Sequence, residues 1–150
     1  MQDPLILTPT MDETARLQPF VVQAAEEAGI DSREAKRLLL AVEEAVANVI
    51  SYGQATAITL RAAEAADRLV LTIDDDGVPF DPTRGTATDL TVPPDQRPPG
   101  GMGIILMQSM ADSLSYQRTG GHNILRIGKL NMDAIGMSPV DYRLMLTRDM

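Results

Sequence analysis

Leu69-Val70-Leu71-Thr72-Ile73-Asp74 alternates apolar and polar residues, then runs without a break into Asp75-Asp76-Gly77-Val78-Pro79-Phe80-Asp81. Alternation with period two marks a strand that buries one face. Just upstream, Ala57-Ile58-Thr59-Leu60-Arg61 alternates in the same way, and the link around Glu64 to Asp67 is short and polar. Two such runs so closely joined read as an antiparallel hairpin. The fold follows from what surrounds this hairpin.

Upstream lie two helices. Leu38, Leu39, Val42, Ala45, Val46, Val49 and Ile50 keep helical spacing. Asp31 caps that helix with Glu34 as its partner, and Gly53 stops it after about Tyr52. An earlier helix is expected from about Met11 to Ala28, opened by a Thr10/Glu13 capping box and closed by Gly29. Residues 4–8 form a short strand ahead of it. Downstream, residues 81–101 lose all periodicity and carry five prolines, and a structureless stretch of that length usually serves a function. A helix from about Met102 to Ala111 follows. Strands at 112–118 and 123–129 then turn at Gly120-Gly121. Ser138, Pro139 and Asp141 predict a last helix near 139–148. Strand, two helices, hairpin, loop, helix, hairpin is the order of an α+β domain: two layers, a mostly antiparallel sheet with helices on one face. Alternating βαβ units are missing.

The 150 residues suit one domain with a real core. Thirteen Lys and Arg against 21 Asp and Glu give a formal charge of -8. That balance argues against a general nucleic-acid or anionic-membrane binder. It leaves a phosphate ligand open, because backbone N–H groups bind phosphate without a basic surface. Without Cys, disulfides, zinc thiolates and thiol nucleophiles are excluded. MQDPLILTPT has no basic n-region or long apolar run, so no signal peptide is expected. No stretch approaches about 18 unbroken apolar residues, so no span is expected. A cytoplasmic location follows by default.

Three features carry chemistry. In Glu44-Ala45-Val46-Ala47-Asn48 the acid and the amide are four apart, on one helical stripe. A carboxylate can accept a proton from a hydroxyl, and an amide oxygen one turn on is a hard ligand suited to Mg²⁺. The plainer reading is an exposed acid beside a chance Asn, although Asn is a poor helix-interior residue. In Asp74-Asp75-Asp76-Gly77, a strand-end carboxylate can accept from an exocyclic amine such as adenine's, and Gly77 lets a flat ring approach the backbone. The plainer reading is an acidic turn. Gly100-Gly101-Met102-Gly103 opens a helix without a capping side chain, leaving bare N–H groups that suit phosphate. The plainer reading is a hinge. Amine acceptor, phosphate cradle, metal-binding amide and general base are together the parts of an ATP site.

At residues 10–130 the chain resembles the GHKL (Bergerat-fold) ATPases, and within them the bacterial anti-sigma-factor serine/threonine kinases. The E-A-x-x-N pattern of the family is matched by Glu44-Ala45-Val46-Ala47-Asn48, and its D-x-G by Asp75-Asp76-Gly77. Its second glycine box is matched by Gly101-Met102-Gly103. Val78-Pro79-Phe80-Asp81-Pro82, and the hairpin from Tyr116-Gln117-Arg118 to His122-Asn123-Ile124-Leu125, look like the anti-sigma branch.

The resemblance implies Glu44 as catalytic base, Asn48 as the Mg²⁺ ligand and Asp75 as the adenine acceptor. It implies Gly77, Gly101 and Gly103 as nucleotide-binding. Many members of the family place a Thr early in the last strand, and Asn123 stands at about that position here, where the resemblance implies a nucleotide-binding role through a bridged water. It implies residues 1–130 as the ATPase/kinase domain and 131–150 as an extension. The implied activity is phosphorylation of a STAS-domain anti-anti-sigma factor, with a sigma factor as the alternative partner and a homodimer as the assembly. A non-catalytic ATP-binding partner-switching module is the alternative. Lys36 and Lys129 are the only lysines, and neither is near the motifs in sequence; Arg84 and Arg97 in the loop are the candidate phosphate partners. His122 reads as a solvated turn residue, and Met107 and Met110 as core filling.

Overall fold

The hairpin built from the alternating runs at 57–61 and 69–74 lies within the sheet, with strands on both sides of it. The computed structural model describes residues 2–83 and 101–131. β1 (Leu5–Leu7), β2 (Ile58–Glu64), β3 (Arg68–Asp75), β4 (Ser113–Thr119) and β5 (His122–Leu130) form one sheet in the order β1-β2-β3-β5-β4. Every pairing is antiparallel. Ala65 N donates to Arg68 O at 2.8 Å to close the first hairpin. β2 outlasts its apolar alternation and reaches Glu64, because the ladder to Leu69 is already in register. The second hairpin turns on Gly120 and Gly121, at φ +58° and +79°. A tight hairpin that follows the strand twist needs positive φ at both central residues, which favours glycine.

α1 (Leu17–Glu27), α2 (Ser32–Asn48) and α3 (Gly101–Met110) cover one face of this sheet. Leu69, Leu71 and Ile73 of β3 point at them, as do Ile58 and Leu60 of β2 and Leu125 and Ile127 of β5. They meet Leu17 and Val21 of α1, Leu38, Val42 and Val46 of α2, and Met107 of α3 in one core. The α+β class and the one-sided helix layer stand as expected. Among the described residues no helix is long and apolar enough to cross a membrane.

Two helix ends differ from the sequence reading. The Thr10/Glu13 capping box does not form. Residues Met11–Arg16 wind as a 3₁₀ helix, and Thr10 makes no side-chain cap. Glu13 reaches back instead to the backbone N–H and hydroxyl of Thr8, at 3.4 and 3.1 Å, and Arg16 bonds both Glu13 and Ile6 O. The acid is drawn to the end of β1, where it accepts from the N–H and hydroxyl of Thr8. The Thr8 contacts, aided by Arg16, lower the Glu13 pKa. The Asp31 cap does form, with Glu34 N donating to Asp31 Oδ1 at 2.9 Å, and Gly29 takes φ +72°. The second difference is at the far end of α2. The α-helix stops at Asn48, and Val49–Gly53 continue as a π turn that Gln54 closes at φ +55°. Apolar spacing does not separate the two windings over so few residues.

α3 runs back along α2. Its first turn lies against Glu44 and Asn48, and its last residue lies near the start of α2. Lys129, 1% exposed, pins that second end. Its Nζ lies 2.5 Å from Glu34 Oε2 and 3.6 Å from Asp112 Oδ2, and donates to Met110 O at 2.9 Å. The helix expected at 139–148 lies outside the described residues, as do Arg84 and Arg97.

Candidate nucleotide site

β3 deals its three terminal aspartates to different tasks. Asp75 shares the inward face of Leu69, Leu71 and Ile73 and is 4% exposed. Asp74 points to the open side of the sheet, where its Oδ1 lies 2.6 Å from His122 Nδ1 and Arg61 stands at 4.0 Å. His122 is exposed there, at the start of β5. Asp76 reaches across to the segment before β2. It accepts from Thr56 N at 2.7 Å, Ala57 N at 3.3 Å and the Thr56 hydroxyl. The hydroxyl and N–H of Thr56 hold the Asp76 pKa down to about 2. The mutual repulsion of three carboxylates is thus relieved by giving each its own donors.

Asp75 Oδ1 accepts from Gly77 N at 2.9 Å and from Asn123 Nδ2 at 3.0 Å. The turn between them is held on both sides. Val78 N donates to Gly53 O at 2.8 Å, so the π turn at the end of α2 sits directly beneath it. A Cβ on Gly77 would stand 2.3 Å from that carbonyl oxygen, so the close approach requires glycine. From the other side Arg118 Nη1 donates to Gly77 O at 2.7 Å. Asn123, 5% exposed, donates to Val78 O at 2.8 Å and accepts from Phe80 N at 3.3 Å and from the Tyr116 hydroxyl at 2.5 Å.

The second half of the site is where α2 meets α3. Gly101 opens α3 and Gly103 is its third residue. A Cβ on Gly103 would stand 2.7 Å from Glu44 Oε2 and 3.5 Å from Asn48 Nδ2. The α2 stripe bearing Glu44 and Asn48 is therefore covered by the first turn of α3. Glu44 is half-buried, and Asn48 is 8% exposed. Asn48 Nδ2 is buried with no hydrogen-bond partner among the described residues. A buried polar atom left without a partner costs stability, and such atoms mark sites completed by something else. The N–H groups of a first helical turn also lack intrahelical partners.

One cleft joins the two halves. Asn48, Val49, Tyr52, Asp75, Val78, Phe80, Met107, Tyr116 and Asn123 all line it. It holds about 560 Å³ of space, its open mouth included. Apolar walls with a few convergent polar groups suit a flat heteroaromatic ligand. Of the residues singled out in the sequence, Asp75, Asn48 and Asn123 border this cleft. Gly77 shapes the turn at its rim, and Gly103 and Glu44 stand against Asn48. Lys129 is at the other end of α2 and serves the core. Met107 is fully buried yet reaches the cleft wall, and Tyr52 is 49% exposed at its edge. Sequence reasoning gave no task to Thr56, Tyr116 or Arg118. The only signal for the last two was their place in the hairpin opposite Asn123.

Sheet order, one-sided helices and a cleft between the end of β3 and the α2–α3 contact make up the frame of this α+β domain. The family model of the histidine kinase-like ATPase domain matches residues 7–129, and the chain belongs to that family. A curated relative, the serine/threonine-protein kinase BtrW of Bordetella bronchiseptica, is 35% identical over 94 residues, 60% of this chain. The match spans 66% of that relative's length. The solved RsbU and RsbW domains of Rv1364c from Mycobacterium tuberculosis superpose with a TM-score of 0.59 at 17% identity. That superposition covers 86% of this chain and 33% of the other, and the likeness concerns the fold.

Proposed function

We propose that this chain is an ATP- and Mg²⁺-dependent serine/threonine kinase that acts as an anti-sigma regulatory factor in the cytoplasm and phosphorylates a STAS-domain antagonist. Residues 1–130 form the kinase domain and 131–150 an extension to it. A sigma factor is the alternative partner, exchanged for the antagonist, and the working assembly is a homodimer. The observation that carries the reading is that Asp75 and Asn48 line one cleft, with Gly103 and Glu44 packed together beside Asn48. The kinase name of the Bordetella relative supports the reaction class.

In this reading Asp75 accepts from the 6-amino group of adenine. The N–H groups of the α3 first turn, beginning at Gly101 and Gly103, bind phosphate oxygens. The orphaned Asn48 carboxamide fits a ligand role, since its nitrogen and oxygen exchange places by a flip and the oxygen is a hard donor. Asn48 would hold Mg²⁺, which when bound neutralises charge on the phosphates. Glu44 takes the proton of the attacking serine hydroxyl. The serine oxygen bonds to the γ-phosphorus as the bond from that phosphorus to the bridging oxygen breaks, and ADP leaves. Most of the rate comes from positioning and charge, so few residues are needed.

The test is phosphate transfer from ATP with Mg²⁺ to a cognate STAS-domain protein. Glu44→Gln is expected to bind ATP and transfer at least about 100-fold more slowly, the scale of general-base catalysis. Transfer at the parent rate would refute the base assignment. A second reading, an ATP-binding module that captures partners without phosphorylating them, rests on one observation. Among the described residues that line the cleft none is a Lys or Arg. Nucleotide binding with no phosphoserine on any partner would favour it.

A further inference from the structure

Asn123 uses its whole hydrogen-bonding capacity inside the protein. Its Nδ2 donates twice, to Asp75 Oδ1 at 3.0 Å and to Val78 O at 2.8 Å. Its Oδ1 accepts twice, from Tyr116 OH at 2.5 Å and from Phe80 N at 3.3 Å. A carboxamide has two donors and two acceptor sites, so nothing is left for a ligand. The orientation is fixed by chemistry: a flipped amide would set its oxygen against two acceptors, Asp75 Oδ1 and Val78 O, and its NH₂ against the Phe80 N–H.

The consequence falls on Asp75. Its Oδ1 already accepts from Gly77 N and Asn123 Nδ2. Its Oδ2 takes no hydrogen bond from a described residue, and the side chain lines the cleft. We propose that Asn123 is a positioning residue for base selection, which never touches the nucleotide but holds Asp75 so that Oδ2 alone faces the ligand. Tyr116 is the outer member of this lock, because its hydroxyl donates to Asn123 Oδ1 and braces the amide in place. A lone, fixed carboxylate oxygen accepts from an exocyclic amine and repels a carbonyl at the same place. The chemical class selected is therefore the 6-aminopurine nucleotides. This inference rests on the proposed nucleotide reading of the cleft.

The experiment measures binding of ATP, and of purine riboside triphosphate, which lacks the 6-amine, to the full chain and two variants. The parent is expected to prefer ATP by roughly 10- to 100-fold, the scale of one hydrogen bond to a charged group. Asn123→Ala is expected to erase most of that preference, weakening ATP about 10-fold while the analogue moves by less than about threefold. Tyr116→Phe, which keeps the ring packing, is expected to give an intermediate ratio. A parallel loss of both ligands, or an unchanged ratio in Tyr116→Phe, would show that the network is structural only and overturn the proposal. A parent that binds both ligands equally would overturn it while leaving the nucleotide site intact. A parent that binds neither would overturn the nucleotide reading itself.

Discussion

Gly103 of α3 lies so close to Glu44 of α2 that a Cβ on the glycine would stand 2.7 Å from the Glu44 carboxylate oxygen. The obstructing atom is the tip of a flexible side chain, so the backbone need not move. Gly103→Ala is therefore expected to leave stability within about 1 kcal/mol of the parent, helped by the better helix propensity of Ala. The displaced Glu44 carboxylate loses its place beside Asn48. Phosphate transfer should fall about 100-fold, as an ångström-scale misplacement costs. Thermal unfolding and transfer rates measured side by side check this. A large loss of stability with transfer per folded molecule unchanged would contradict it.

Gly77 has no such freedom. Its close neighbour is the Gly53 backbone oxygen, 2.3 Å from where a Cβ would stand. Gly77→Ala must push the turn away from the π segment, at a cost of about 1–3 kcal/mol of overpacking strain. The same shift carries the N–H that Asp75 Oδ1 accepts. Both the urea midpoint and the thermal shift produced by ATP should drop. A variant as stable as the parent would mean that the turn is not clamped.

Lys129 supports a prediction away from the cleft. It is buried between Glu34, Asp112 and Met110 O. Lys129→Met leaves two carboxylates without their shared cation, which typically costs about 3–5 kcal/mol. Denaturant unfolding should register the loss, and ATP affinity of the folded fraction should stay unchanged. Loss of nucleotide binding without loss of stability would place Lys129 in the site instead.

Asp76 sets a pH dependence. Its folded pKa, about 2, lies below the ordinary aspartate value of 3.8. The folded state thus holds fewer protons than the unfolded chain in that window. Its contribution is fully present above the unfolded value and is lost as pH falls through the folded one. Glu13, also lowered, acts in the same direction. Melting temperature should decline as pH falls from about 4 toward 2, and Asp76→Asn should flatten that decline. Parallel curves for parent and variant would show that Asp76 contributes nothing to it.

How much of this was legible in the residues follows from range. The Asp31 cap, the Gly120-Gly121 turn and the β2–β3 hairpin are written in neighbours a few positions apart, where periodicity and φ preferences act. Alternation along β3 also sends Asp75 inward and Asp74 outward. The networks that use them are not local. Asp76 meets Thr56 across 20 positions, and Asp75 meets Asn123 across 48. Lys129 meets Glu34 on another layer. The π turn escaped because Val49 and Ile50 suit either winding. Glu13 escaped because the competing acceptor-seeking group, Thr8, precedes the helix rather than capping it.

The central claim is that one cleft holds adenine at Asp75 and a metal-bound triphosphate at Asn48 and Gly103. The most direct measurement is a crystal structure of the chain with Mg²⁺ and a non-hydrolysable ATP analogue. The expected density has the 6-amino group on the Asp75 carboxylate, the phosphates at the start of α3 and the ion on the Asn48 carboxamide oxygen. Nucleotide bound elsewhere, or phosphates remote from Asn48, would contradict it.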